Sequence, residues 1–525
     1  MLKMFKKLLL LFLGTASWSA ALVKSGWIYP FGMGFWGANG HDGIWHIALA
    51  ESLSKGSSQM PVFAGAPLQN YHIGFDLLLA FLNKITTIPI VNLYFQILPP
   101  ISAFLIGFLV YEFVMTWTKS EKSALLSTFF IYFGGSLAWI IGKGESTFWA
   151  TQAISTLINP PFTLSLILVL SGMIALLKKK KILAILCFGI LVQIKIYAGL
   201  LVLGALLIAG IWDVFVGTLA ISLLLYLPFN RSSTNLVVFK PFWFLETMMG
   251  FSDKVGWARF GEAMVNYKAG GVWLKAVLAY GAAFVIFIIG NFGTRLTFLF
   301  KKVKLDSMNK FIYAIVAAGI IVPMFFLQKG TAWNTIQFMY YSLFFSAILA
   351  GITLSKINGY LLIAIILFTI PTTVITLKDV YLPSRPPAKL SNEELEALKF
   401  LSTQPDGVVL TYPFDENAAR QAESFPPRPL YLYTSTAYVS AFGKHPTYLA
   451  DEINLDITGY DWQSRSKGVE AWYKEKDQEV ARKFLEKNNI KYVYWLKGQR
   501  ALLGETQLGL INIFENSLVA AYRVD

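Results

Sequence analysis

Three of the four histidines, His41, His46 and His72, fall in one stretch that also holds Asp42, Glu51 and Asp76. In the string His41-Asp42-Gly43-Ile44-Trp45-His46, Asp42 and His46 stand four residues apart, which places both on one face of a helix. A carboxylate and an imidazole so spaced suit two kinds of chemistry. Asp42 can serve as general base with His46 orienting it, or the two can bind a divalent cation jointly. The same residues also suit a solvated helix whose first-turn Asp interacts with the helix dipole. Tyr71-His72, which returns to the same side of the chain's apolar segments, favours the functional reading.

Other candidates are cations and amides. Lys195 stands in Gln193-Ile194-Lys195-Ile196-Tyr197, between two apolar runs that form a hairpin with its tip outward. It is either a snorkelling residue or a cation aimed into a cavity, where intramembrane charge marks function. Lys240, Arg259 and Lys268 suit neutralisation of a phosphate, and equally suit ordinary loop charges. In Trp333-Asn334-Thr335-Ile336-Gln337, Asn334 and Gln337 share a helical face that fits a sugar or a neighbouring helix. Glu112 and Asp213 lie toward the opposite side and receive no catalytic role.

The elements that position these residues are set by the solvent. Of 525 residues, 55% are hydrophobic, 15% aromatic and only 14% charged, against about 25% charged in soluble domains. Apolar runs near the roughly 20 residues that cross a bilayer recur at 7–24, 91–117, 122–141, 160–177, 182–194, 197–211, 214–228, 272–293, 310–327, 336–355 and 358–377. The chain is therefore expected to be a polytopic α-helical membrane protein with about eleven transmembrane helices. Lysine and arginine follow the alternation. Lys3, Lys6 and Lys7, then Lys119 and Lys122, Lys178 to Lys181, the cluster Arg295, Lys301, Lys302, Lys304 and Lys310, and finally Lys356 all fall on one side. The positive-inside tendency makes that side cytoplasmic. The amino terminus is expected inside, the carboxy-terminal domain outside, and the whole in a cell membrane. Small residues at Ala16-Ser17-Trp18-Ser19-Ala20 also admit a cleaved signal peptide, which leaves the next segment on the same outer face.

Net charge is +14, with 28 Lys/Arg against 12 Asp/Glu before residue 380 and 17 against 19 from there on. Cytoplasmic loops account for the excess, so no nucleic-acid partner is expected. The single cysteine, Cys187, permits no internal disulfide. Long outer loops are expected at 25–90, 142–159 and 229–271, with interfacial amphipathic helices over 44–53, 73–85 and 148–158. Residues 1–380 thus read as the membrane domain, including the outer loop 25–90, and 381–390 as a stiff Pro-rich linker. Residues 391–525 read as an extracytoplasmic α/β domain. There Ser391 to Glu394 signals a helix start, 391–403 and 480–488 read as helices, 408–411 and 491–496 as strands, and 511–524 as a closing hairpin. No Walker loop or Asp-x-Asp motif occurs, which argues against ATP-driven transport and cytosolic nucleotide sugars.

With an early Asp after the first span, amphipathic outer helices, a many-spanning bundle and a terminal outer domain, the chain resembles the GT-C superfamily of membrane glycosyltransferases. The resemblance is carried by Gly40 to Leu49, by Pro67 to Asp76, where His72 follows Tyr71 at a place many members give to Pro, and by Gln193-Ile194-Lys195. It implies a GT-C-like fold and transfer of a sugar from a polyprenyl-phosphate donor to a lipid, glycan or protein acceptor at the outer face. It implies Asp42 as the catalytic carboxylate and Lys195 as a phosphate contact. His41, His46 and His72 would then orient Asp42, contact the phosphate or ligate a divalent metal. Two rivals remain at this level. A non-enzymatic assembly protein would leave Asp42, His46 and His72 scattered, and a transporter or lipid flippase would pair acids near the midplane.

Overall fold

The computed structural model describes residues 2–230, 237–300, 304, 306–328, 332–357, 359–434 and 436–525; Lys301 and Lys302 of the expected basic loop lie outside them. The chain forms two compact units. One comprises Met1–Ala21, Pro99–Pro228 and Thr234–Leu382, the other Leu22–Leu98, Phe229–Ser233 and Pro383–Asp525.

The first unit is helical. Six helices are long and apolar enough to cross a membrane, at Ile90–Thr118 (which begins in the second unit), Pro160–Leu177, Trp273–Phe300, Ser307–Phe325, Asn334–Leu354 and Tyr360–Tyr381. The chain is thus a multi-pass membrane protein; among the described residues six helices reach spanning length, and the other expected runs fall short of it in length or composition. The reasons are local. The first helix, Leu2–Ser19, is interrupted by lysines at its start, and Glu121–Phe133 stops after 13 residues at Gly134-Gly135. The runs expected at 182–228 form three shorter apolar helices, Lys181–Ile194, Ile196–Ala209 and Trp212–Tyr226.

Packing in this unit relies on small residues, as it must where lipid is no worse a solvent than leucine. The span Asn334–Leu354 is 89% buried. It packs between Glu121–Phe133 and Ser307–Phe325. Gly351 permits one approach, since a Cβ there would stand 2.2 Å from the Ser127 backbone nitrogen. Buried hydroxyls return their hydrogen bonds to helix carbonyls, Ser127 to Ile348 at 2.9 Å and Ser342 to Val316 at 2.6 Å. By contrast Trp273, Leu274, Val277 and Leu278 are largely exposed, as lipid-facing positions should be.

The second unit differs from the expected division of the chain. Residues 25–90 group with the carboxy-terminal segment, not with the membrane helices. The segment read as linker supplies a strand, Ala388–Leu390, that pairs antiparallel with Gly32–Phe35 and parallel with Arg428–Pro429. Further on, Ser391 and Glu394 form the expected capping box of the helix Asn392–Leu401. Strands Val408–Thr411, Ile490–Leu496, Leu510–Glu515 and Val519–Val524 build one sheet with Ile490–Leu496 beside the first, parallel to it, and Val519–Val524 on its other side. Trp472, Leu485, Val493 and Trp495 fill the core on this sheet.

The outer-loop helices need one correction. Asp42–Ser54 is buried continuously from Gly43 to Glu51, so it is a core helix and not an interfacial one. It packs on Gly74–Thr86 and Tyr438–Gly443. Gly74–Thr86 does have two characters: Phe75, Asp76 and Leu79 are buried, whereas Leu77, Phe81 and Ile85 expose an apolar stripe of i, i+4 spacing. The stretch 148–158 forms short, mostly buried turns instead of an amphipathic helix.

Candidate active site

In the second unit the helix Asp42–Ser54 begins at His41, and Asp42 occupies its first turn, where the helix dipole favours a negative charge. The Asp42 carboxylate lies 2.5 Å from His41 Nδ1, and both side chains are part-exposed. Burial opposes charge on His41, but the Asp42 hydrogen bond and charge, with that of Asp451, lift its pKa to about 9. At neutral pH an imidazolium therefore holds the Asp42 carboxylate.

His46 does something else. Its Nδ1 lies 2.7 Å from Asp76 Oδ1, with both side chains buried. The expected pairing of His46 with Asp42 is thus replaced: His41 meets Asp42, and Asp76 takes His46. One turn of helix brings Asp42 and His46 to one face, but the neighbouring helix Gly74–Thr86 presents its inward acid to the second of them. Desolvation pushes the Asp76 carboxyl up, and His46 only partly offsets it. Aromatic rings close the cluster. His46 is stacked on Tyr94 at 6.0 Å, Tyr71 is edge-on to Trp45 at 5.5 Å, and His72 is stacked on Tyr71 at 4.6 Å. Close approach needs Gly43, where a Cβ would sit 2.8 Å from the Phe95 ring. Asp42, His46 and His72 are therefore gathered in one unit and not scattered.

Among the described residues no three His, Cys, Asp or Glu side chains come together to hold a metal ion. With His46 Nδ1 engaged by Asp76, a cation at Asp42 and His46 would have only Nε2 of that ring as a ligand. No step below is routed through one.

The first unit holds a second polar cluster. Lys195 breaks the helical run, its extended backbone separating Leu191–Ile194 from Ile196–Ala209. It is 5% exposed, so snorkelling does not describe it. Its ammonium donates to Asn159 Oδ1 at 3.5 Å and stands 5.2 Å from the Tyr197 ring centre. Asn159, the N-cap of Pro160–Leu177, donates to Gln337 Oε1 at 3.4 Å, and Gln337 donates to Asn334 Oδ1 at 3.2 Å. Three residues singled out from sequence, Lys195, Asn334 and Gln337, are so joined through a fourth, Asn159. A lone Asn before Pro-Pro was its visible signal. Arg259 is exposed on the helix Ala258–Ala269, and Lys268 is paired with Glu246 at 3.2 Å. The buried lysine of that loop is Lys254, over the Trp149 ring at 5.3 Å.

Sequence reading also passed over Glu145, the one charged residue between Lys143 and Lys178. It is held by the Ser155 hydroxyl and by the Gln152 amide at 3.1 Å, and Ser155 also contacts the Tyr381 hydroxyl at 2.7 Å. Burial raises its pKa to about 7. An acid whose folded pKa exceeds its unfolded value of about 4.5 weakens the fold as pH rises between the two. Glu145→Gln should therefore be more stable than the parent above pH 7, by up to about 3 kcal/mol, and should lose that advantage as pH falls to about 4.5. Thermal unfolding at acid and alkaline pH checks this, and a difference that ignores pH would mean Glu145 is ionised in the fold.

No family model matches the chain, and no curated protein matches it by sequence. Solved structures do. The oligosaccharyltransferase of Archaeoglobus fulgidus, tethered to an acceptor peptide with an NVT sequon, is 13% identical over 93% of this chain and 69% of its own, with a TM-score of 0.50. The archaeal enzyme in complex with an inhibitory peptide and a dolichol-phosphate gives 13%, the same shares and 0.47. The mycobacterial arabinofuranosyltransferase AftD gives 11% over 94% of this chain and 40% of its own, at 0.47. At such identities the likeness is one of fold, and only the first is close enough to weigh. The chain shares its fold with the archaeal oligosaccharyltransferase.

Proposed function

We propose that the chain is a membrane glycosyltransferase that moves a sugar from a polyprenyl-phosphate donor to an acceptor hydroxyl at the extracytoplasmic face. The observation that carries this reading is the Asp42 carboxylate, part-exposed at a helix start and held by a charged His41, on a fold like that of the archaeal oligosaccharyltransferase. In the transfer the acceptor oxygen bonds to the anomeric carbon, the bond from that carbon to the phosphate oxygen breaks, and the polyprenyl phosphate departs. Asp42 takes the acceptor proton. His41 orients the carboxylate, and His46 with Asp76 supports the helix that bears it. Lys195, whose buried ammonium meets Asn159 within the first unit, is proposed separately as a phosphate contact. The basic loops support an amino terminus in the cytoplasm and a terminal domain outside.

The test is direct. Purified protein in lipid nanodiscs, given radiolabelled polyprenyl-phosphate sugars with lipid, glycan and peptide acceptors, should transfer label. Failure with every donor removes the reading. Lys195→Met is expected to raise KM for the donor about 10- to 100-fold, the effect of one charge-assisted hydrogen bond. An unchanged KM would take Lys195 out of the donor site.

A further inference from the structure

Val408–Thr411 and Ile490–Leu496 are neighbouring parallel strands, and both end at the same edge of the sheet. Open α/β sheets take ligands in the crevice beyond the carboxyl ends of such strands. Here that crevice is a cavity of about 320 Å³, lined by the residues that leave the two strands, among them Tyr412 and Lys497, and by Tyr431, Thr436, Asp451 and Glu452 from the crossover between them. The size is at the small end for ligand pockets, about 300–1,000 Å³.

The chemistry of the walls is specific. Tyr412 is 36% exposed, its ring fixed edge-on against Tyr473 at 4.8 Å, so it offers a firm apolar face. The Thr436 hydroxyl is buried and makes no hydrogen bond. Glu452 is half-buried; desolvation, with the charges of Glu470 and Asp451 nearby, raises its carboxyl. Three lining carboxylates, Asp415, Asp451 and Glu452, face a single lining lysine. That balance repels phosphate and so excludes nucleotides and a second lipid-phosphate site. Aromatic faces beside carboxylates and a hydroxyl suit a ring with a CH face and many O–H donors. Asp451 also lies within electrostatic reach of His41, the partner of Asp42.

We infer that this cleft binds a saccharide without negative charge, its ring on Tyr412 and its hydroxyls toward Glu452 and Thr436. Resting on the proposed transfer reaction for its purpose, this makes the acceptor a glycan held by the terminal segment.

Full-length protein in nanodiscs, washed over a panel of immobilised neutral oligosaccharides, tests it apart from activity. The parent should bind at least one member, Tyr412→Ala should bind it at least tenfold more weakly, and Tyr412→Phe, which keeps the ring, should bind as the parent does. Binding of no panel member, equal binding by Tyr412→Ala, or capture of a pentalysine peptide in place of sugar would each overturn the cleft and leave the transferase reading standing. Saccharide binding without transfer from any donor would uphold the cleft and remove the transferase.

Discussion

Asp42→Asn is expected to lower sugar transfer about 10²–10⁴-fold, the usual contribution of a positioned general base, while leaving expression and donor binding intact. The amide has the size and much of the hydrogen-bonding of the carboxylate but cannot take a proton. Its second effect falls on His41. The imidazole stands at about 9 because the Asp42 hydrogen bond and charge, with that of Asp451, overcome its burial, so in the variant, where burial is the larger remaining influence, it should fall below its ordinary 6.5. A histidine raised by its partner contributes stability below its unfolded pKa and loses it as pH rises through the folded value. The parent should therefore be more stable than Asp42→Asn at pH 6 and should lose the excess between about 6.5 and 9. Initial rates and unfolding over that range check both. If the variant keeps more than a tenth of the parent rate, Asp42 is not the base.

Much of this was legible before any coordinates, and the failures share a cause. Local signals were reliable where the element decides its own fate. The Ser391–Glu394 box caps its helix, and the strand expected at 408–411 is Val408–Thr411. Period and hydropathy misled where tertiary contact decides. Asp42–Ser54 carries polar residues at helical spacing, yet Glu51 is taken in by Lys444 at 3.2 Å and His46 by Asp76, so the helix is buried from Gly43 to Glu51. Hydropathy also counted 122–141 as one run, which Gly134-Gly135 cuts short. The parallel pairing of Ala388–Leu390 with Arg428–Pro429 is long-range, and no residue pattern announces it. Among candidate residues, sequence singled out Asp42, Lys195, Asn334 and Gln337, but not which histidine meets Asp42. That choice is made by Asp76 on another helix.

Asp76→Ala should then cost about 3–5 kcal/mol of stability, as removal of one member of a buried pair does. Asp76 is wholly buried, its Oδ1 lies against His46, and its Oδ2 has no hydrogen-bond partner. Taking the carboxyl away strands the His46 ring nitrogen between Tyr94 and Phe75, where water cannot replace the bond. Asp76→Asn keeps an acceptor for His46 Nδ1 and should cost about 1 kcal/mol. The double variant His46→Phe with Asp76→Leu, which removes both polar partners, should recover most of the loss, because an apolar pair of like volume is often as stable as the ionic one. Unfolding in mixed micelles ranks the three. Equal stability of Asp76→Ala and Asp76→Asn would show that the pair does not support the helix. The ranking also separates the two histidines. In Asp76→Asn the helix and His41 remain in place, so transfer should stay within tenfold of the parent. A fall as deep as that of Asp42→Asn would instead put His46 among the reacting groups.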